Sequence, residues 1–265
     1  MEMSPHPERA LKSGDALFDT MPDSGHLRHM PTHIDVLCGN YQAVVERNHA
    51  AVVADRMFVE REGVVNFYTG YRAHDYHFKA YGAMFLGQYK SAIEAAEEMI
   101  ATTPKEVLEV GNPPYADWLE AYIPIKQHVL IRFGKWQEIL DEPLPDDPEL
   151  YCVTTATIRY TRAVAYAATN RVAEAEAERV LFYEAVARVP DSRRLFNNTA
   201  LDILSVAEQM LLGELEYRKG NYDVAFDHLR KSVEIDDHLP YDEPWAWMQP
   251  TRHALGALLM EQKHY

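Results

Sequence analysis

The chain contains little cysteine and comparatively little positive charge. Cys38 and Cys152 are its two cysteines among 265 residues and form no C-x-x-C pair, so the sequence favours reduced thiols over a disulfide or a thiolate metal site. Aspartate and glutamate number 41 against 26 lysines and arginines, which gives a formal net charge of -15. Because binding to a phosphate backbone depends on basic residues, we expect no nucleic acid partner.

Long apolar runs are also absent. No stretch approaches the roughly 18 apolar residues of a membrane span, and residues 1–12 lack the basic-then-apolar pattern of a signal peptide. These absences predict a cytoplasmic protein with no membrane partner. The sequence also lacks the H-E-x-x-H, P-loop, G-x-G-x-x-G and G-x-S-x-G motifs, so it indicates none of the catalytic classes that those motifs mark.

A short junction recurs along the chain. A small residue and a polar residue precede an aromatic residue, and an apolar or small residue follows three positions later. The small residue permits the left-handed backbone at which one helix ends, and the aromatic residue packs between the two helices that the junction joins. The copies, of which the fourth is degenerate, are Gly39-Asn40-Tyr41, Gly87-Gln88-Tyr89, Gly134-Lys135-Trp136, Asn170-Arg171-Val172 and Gly220-Asn221-Tyr222.

These junctions resemble those of the tetratricopeptide repeat. Downstream of Gly87 the apolar positions keep a helical period, and Pro104 closes the second helix as a proline does in that family. The resemblance implies an all-α fold, a right-handed α-α superhelix of the TPR-like solenoid type. The junctions lie 48, 47, 36 and 50 residues apart, whereas the family's period is about 34. We therefore expect inserted loops near residues 57–72, 105–118, 143–148 and 238–247.

The chain ends each match half of a repeat. Residues 1–22 resemble a second helix alone, and residues 250–265 resemble a first helix and its junction. Nothing in the composition divides the chain, so we predict a single domain over residues 1–265, truncated at both ends. Since half-repeats expose apolar faces, self-association through the unpaired terminal helices is also expected.

Histidine is concentrated where that repeat family exposes side chains. In the tetratricopeptide fold, four positions of each first helix face a concave groove. Counted back from the junctions, 24 such positions hold seven histidines, whereas an even distribution of the chain's 12 histidines would place about one there. The resemblance thus implies a histidine-rich groove. Its predicted ligand-binding residues, on or beside groove positions, are His26, Tyr81, His128, Tyr160, Glu214, Tyr217, Arg252 and His253.

Four of the histidines have the spacing of metal ligands. His29 and His33 are four residues apart and share one helix face, while His74 and His77 are three apart on the first helix of the next repeat. Packed helices lie roughly 8 to 10 Å apart, so these side chains can converge on one ion. Imidazole nitrogens favour zinc, iron or copper over calcium and magnesium, which prefer oxygen ligands.

Pro31 lies between the first two of these histidines and has two interpretations. It cannot donate a hydrogen bond to the carbonyl group of Leu27, so a helix running through it should bend there. Alternatively, the helix begins at Pro31 as its first residue. The first arrangement would direct His29 and His33 toward one point. The second places His26 and His29 in a loop, from which they can still bind.

A narrower resemblance involves the same residues. The strings GHLRHMPTHI at residues 25–34 and HDYHF at residues 74–78 resemble a tetratricopeptide-type family of bacteria and fungi with H-M-P-x-H-I and H-x-x-H-F signatures. That resemblance implies the repeat fold and no particular reaction. Members of that family carry a further histidine-containing helix upstream.

Two functions are therefore compatible with the sequence. The first is a helical-repeat scaffold whose groove binds a peptide or a small polar ligand. The alternative is a metal-dependent enzyme with zinc, iron or copper held by groove histidines, together with oxygen from Asp75 or Glu214. The groove positions carry no arginine or lysine, since Arg252 and Lys79 lie beside them, and this weakens a carboxylate-clamp form of peptide binding.

Overall fold

The computed structural model describes residues 2–264, and the prediction of an all-α fold is confirmed. Helices account for nearly all of its regular structure, and the described residues contain one hairpin with strands of two residues. Contacts divide the chain into an N-terminal unit, Met1–Tyr115, and a C-terminal unit, Ala116–Tyr265. The single domain expected from composition stays a prediction. No helix among the described residues is long and apolar enough to cross a bilayer.

The N-terminal unit is built of antiparallel helices. A 3-10 turn, Pro7–Ala10, precedes the first helix. Helices α2 and α3 pack on α4, and α4 and α6 both pack on α5. The core comes from their small and branched side chains, of which Val44, Ala80 and Ala92 are fully buried. The helices are α1 (Leu11–Phe18), α2 (Gly25–His29), α3 (Thr32–Leu37), α4 (Tyr41–Glu62), α5 (Thr69–Phe85), α6 (Tyr89–Ala101) and α7 (Lys105–Leu108).

The C-terminal unit repeats the paired arrangement. Helix α11 packs on α12 and α13, and α14 packs on α13 and α15. A hairpin precedes α13, and the side chain of Thr199 caps that helix by accepting from the Asp202 amide at 3.1 Å. The elements are α8 (Tyr115–Leu119, which begins at the unit boundary), α9 (Ile125–Arg132), α10 (Trp136–Asp141), α11 (Cys152–Ala168), α12 (Val172–Val186), β1 (Arg194–Leu195), β2 (Asn198–Thr199), α13 (Ala200–Arg218), α14 (Tyr222–His238) and α15 (Thr251–Glu261).

The predicted junctions are the places where helices end. The small residue of each junction has a positive φ, and the next amide donates to a carbonyl group five residues back, which closes the preceding helix. Lys263 adopts the same conformation after α15, with φ of 62°, although Tyr265 of that junction lies outside the described residues. The junction residues with positive φ are Gly39, Gly87, Gly134, Asn170 and Gly220.

One predicted insertion is shorter than expected. Residues 57–72 were expected to form a loop, but α4 continues to Glu62 and α5 begins at Thr69. The helix continues through residues 57–62 and ends at Gly63, whose φ is 79°. The segment at residues 105–118 contains α7 and the start of α8, whereas residues 143–148 and 239–247 contain no helix or strand.

Candidate metal centre

Three of the four histidines predicted as metal ligands meet inside the N-terminal unit. His29, His33 and His74 are at most 5% exposed, and one ring nitrogen from each lies within 4.8 Å of the others. The Nε2 atoms of His29 and His33 are 2.7 Å apart, and those of His33 and His74 are 3.4 Å apart. The ring of Phe78 lies 4.7 to 5.1 Å from all three imidazole rings and forms an apolar wall beside them.

The backbone break at Pro31 allows His29 and His33 to face each other. Met30 and Pro31 keep helical dihedral angles, but α2 ends at His29 and α3 begins at Thr32. The carbonyl group of His29 accepts from the Thr32 hydroxyl at 2.7 Å. The segment has features of both interpretations of Pro31. A separate helix, α3, begins directly after Pro31, but His29 lies in the short helix α2 and not in a loop.

Hydrogen bonds fix which nitrogen of His29 carries the proton. The Nδ1 atom lies 2.7 Å from Asn48 Oδ1. Asn48 Nδ2 donates to the Val44 carbonyl group at 2.8 Å, and this donation sets the orientation of the amide. Because Oδ1 can only accept, Nδ1 of His29 must donate. The Nε2 atom of His29 is left with its lone pair directed at His33.

His33 is held in the same tautomer. Its Nδ1 atom lies 2.8 Å from the Glu2 carboxylate, which accepts and so requires a proton on Nδ1. Two Nε2 lone pairs therefore face each other across 2.7 Å. This arrangement needs a proton or a metal ion between the two nitrogens.

Burial disfavours protonation of these imidazole rings. It lowers the pKa of His29 well below its usual value, and the neighbouring His33 lowers that pKa further. Burial, followed by His29 and His33, does the same to the pKa of His74. The site therefore favours neutral imidazoles, the form that binds metal ions.

A pair of carboxyl groups lies beside the three histidines. Asp55 on α4 and Asp75 on α5 are 1% and 0% exposed. Burial raises the pKa of Asp55 to about 8, with Asp75 adding to the shift, and burial also raises the pKa of Asp75 well above its usual value. Tyr68 donates to Asp55 Oδ1 at 2.9 Å, and His26 Nδ1 lies 3.2 Å from Asp75 Oδ1.

His77 is buried but does not join the three-histidine group. It is 2% exposed, and among the described residues the group of converging ring nitrogens contains His29, His33 and His74. Three residues along a helix correspond to a rotation about 60° short of a full turn, so His77 has a different direction from His74. Tyr81, one turn further along α5, packs on Phe85 with ring centroids 4.7 Å apart.

The other predicted groove residues belong to the C-terminal unit. His128 and Tyr160 are buried and both contact Trp247, with ring centroids 5.0 and 5.6 Å apart. Burial lowers the pKa of His128 to about 4. The hydroxyl group of Tyr217, also buried, accepts from Gln262 at 2.7 Å.

Two of the remaining groove residues, Glu214 and Arg252, form ion pairs, and the third, His253, lies beside an arginine. Glu214 pairs with Arg218 at 2.8 Å, exposed Arg252 pairs with Asp237, and His253 lies 3.3 Å from a guanidinium nitrogen of Arg132.

Two buried polar residues near the histidines were not predicted from the sequence: Asn48, which accepts from His29, and Asp55, which accepts from Tyr68. Asn48 and Asp55 lie on α4, a second helix of the repeat pattern, where no groove position was expected. A signal was present, because these two polar residues are seven apart and fall among the buried Val44, Ala51 and Val52. Polar residues on the buried stripe of a helix require partners, and they indicate a site.

Comparison of the chain with protein-family models, curated proteins and solved structures finds no match.

Proposed function

We propose that the N-terminal unit binds a divalent transition-metal ion through the Nε2 atoms of His29, His33 and His74. The observation that carries this proposal is the 2.7 Å separation of the first two Nε2 atoms, while both Nδ1 atoms are committed to oxygen acceptors. A metal ion accepts both lone pairs at once. A proton satisfies them only by placing a charge on a buried imidazole.

The donor set and its spacing suit zinc, iron or copper. Zinc–imidazole bonds of about 2.0 to 2.1 Å in tetrahedral geometry separate the ligand nitrogens by about 3.4 Å. His33 and His74 are already 3.4 Å apart, and the His29–His33 pair must open by about 0.7 Å to match. Three nitrogen donors favour these metals over calcium or magnesium.

The number of histidines favours a second candidate function, a metal-dependent enzyme. Catalytic zinc sites use three protein ligands and leave one position for water or substrate, whereas structural sites use four. Three histidine nitrogens converge among the described residues. A water molecule bound in the fourth position would be acidified by the metal and could act as a nucleophile.

We also propose that the helix pairs belong to the tetratricopeptide type and stack as a right-handed superhelix. Support comes from the positive φ at each junction glycine and at Asn170, together with the closing hydrogen bonds. A groove that binds a peptide or small polar ligand, a cytoplasmic location and self-association through the terminal helices stay predictions.

Metal titration of the purified, demetallated chain tests the proposed function. We expect zinc to bind the wild-type protein, and we expect His33→Ala and His74→Ala to weaken binding by more than about 100-fold, since each removes a ligand. His77→Ala is the matched control, because it removes a buried histidine of the same helix that lies outside the group, and it should retain the wild-type affinity. Circular dichroism of each variant establishes that it is folded.

Two results would contradict the proposal. One is a wild-type chain that binds no transition metal. The other is a folded His33→Ala variant that binds zinc as tightly as the wild type.

A further inference from the structure

The N-terminal unit has a cleft that its histidine centre does not use. Helices α4 and α6 form its sides and α5 contributes to its floor, and its volume is about 640 Å³, a size typical of small-molecule sites. We refer to it as the α4–α6 cleft. Its charged and titratable lining residues are Glu46, His49 and Arg56 of α4, Lys79 of α5, and Glu94, Glu97 and Glu98 of α6.

Lys79 places a buried ammonium group in this cleft. Its side chain lines the cavity although the residue is 7% exposed. The Nζ atom lies 3.4 Å from His49 Nδ1, which must accept because an ammonium group can only donate. Lys79 forms no ion pair with a carboxylate within the part of the chain that the structure describes.

The imidazole of His49 does not balance that charge. Burial lowers the pKa of His49, and the positive charges of Lys79 and Arg56 lower it further, so the ring is neutral. Burial also lowers the pKa of Lys79, despite the opposing effect of Glu98. A buried ammonium group is stabilised by a directly bonded anion, and a carboxylate group of a ligand would supply one.

The edge of the cleft has the opposite charge. Glu46 accepts from the neutral amide of Gln42 at 2.8 Å. Glu94 lies 3.7 Å from Lys90, whose side chain is 87% exposed, and water screens such a pair. Glu97 follows Glu94 by three residues, so the two lie on neighbouring parts of one helix surface. This edge therefore favours a cationic group.

These charges select a ligand that carries both signs. Arg56 and Glu98 pair with each other across the cleft and add no net charge, so the single ammonium group of Lys79 faces the three remaining glutamates of the lining. A simple amine leaves Lys79 without an anion, and a simple carboxylate is repelled at the edge. An α-amino acid with a cationic side chain has one carboxylate and two cationic groups, which matches both parts.

We propose that the α4–α6 cleft binds a free α-amino acid with a cationic side chain, such as L-arginine or L-lysine. Its carboxylate group binds the Lys79 ammonium, and its cationic groups bind at the edge formed by Glu46, Glu94 and Glu97. The cleft shares no residue with the three-histidine centre, so this binding function is additional to metal binding.

Isothermal titration calorimetry of the full-length protein with L-arginine and with agmatine tests the proposal. Agmatine is the same molecule without the carboxylate group, so we expect it to bind at least about tenfold more weakly. Lys79→Met should lower the affinity for L-arginine at least about tenfold and abolish the preference over agmatine. Glu94→Gln, a change at an exposed residue, should weaken both probes by about two- to fivefold.

Two control variants should bind L-arginine as the wild type does. Lys105→Met removes a lysine of the same unit that lies outside the cleft and pairs with Glu109 at 3.3 Å. His33→Ala removes a proposed zinc ligand, so its result separates this site from the metal centre.

Three results would overturn the proposal. The first is a wild-type protein that binds neither L-arginine nor L-lysine at millimolar concentration. The second is agmatine binding as tight as that of L-arginine, which tests the role of Lys79 even if Lys79→Met fails to fold. The third is tighter binding of a tripeptide that ends in arginine, which would assign the cleft to a peptide terminus instead of a free amino acid.

Discussion

Replacement of Asn48 by leucine should weaken zinc binding without removing any ligand. Asn48 Oδ1 accepts from His29 Nδ1 at 2.7 Å, and this bond holds the imidazole ring with Nε2 directed at the metal position. Leucine has a similar volume but no acceptor. The His29 N–H group would keep only more distant partners, the Thr32 hydroxyl at 3.3 Å and Asp75 Oδ1 at 3.5 Å.

The expected loss follows from the bond that is removed. A buried donor left without a good acceptor costs about 1 to 3 kcal/mol. Part of this penalty is specific to the metal-bound state, because a metal on Nε2 makes the Nδ1 proton a stronger donor. Loss of such supporting bonds lowers metal affinity by about 10- to 100-fold, and we expect Asn48→Leu to fall in that range.

The assay is zinc competition against a chromophoric chelator at pH 7.5, with Asn48→Asp as the rescue variant. Aspartate restores an acceptor for His29 Nδ1, so its zinc affinity should exceed that of the leucine variant by at least about tenfold. A folded Asn48→Leu protein with wild-type affinity, or equal affinities for the two variants, would refute the role assigned to Asn48.

Two further predictions concern stability. Burial lowers the pKa of His128 to about 4, from about 6.5 in the unfolded chain. The stability that neutral His128 contributes is therefore complete above pH 6.5 and is lost as the pH falls toward 4. In urea titrations between pH 7 and pH 4, the free energy of unfolding of the wild type should fall by up to about 3 kcal/mol more than that of His128→Gln, and equal losses would contradict this.

Gly213→Ala places a Cβ atom 2.6 Å from Leu229 Cγ and should destabilise the C-terminal unit by about 1 to 2 kcal/mol. A Cβ atom at Gly256 meets nothing within 4 Å, so Gly256→Ala should stabilise the C-terminal unit by about 0.5 to 1 kcal/mol. A higher melting temperature for Gly213→Ala than for Gly256→Ala would refute the packing described at α13.

The repeat pattern was accessible from the sequence because it depends on local backbone chemistry. A residue that ends a helix through positive φ must be glycine or tolerate that conformation, so Gly39, Gly87, Gly134 and Gly220, and even the asparagine at 170, could be recognised by type and position. The division into two units depends on contacts between distant residues and has no such local signal.

The candidate site was predictable in part. The four-residue spacing of His29 and His33 and the bend at Pro31 indicated that these side chains meet, and the neighbouring repeat supplied His74. The exclusion of His77 depends on the rotation of α5 against α2 and α3, which spacing along one helix does not determine. The positions of Asn48 and Asp55 near the site depend on how α4 packs. The predicted groove positions all came from the first helix of each repeat, so they did not include α4, which is a second helix.

Zinc X-ray absorption on protein carrying one equivalent of the metal tests the central claim most directly. The account predicts a first shell with three imidazole nitrogens at about 2.0 to 2.1 Å, and its characteristic multiple scattering should weaken when His29, His33 or His74 is replaced by alanine. A shell without imidazole scattering, or an unchanged spectrum in a triple variant that lacks all three histidines, would contradict the proposed metal centre.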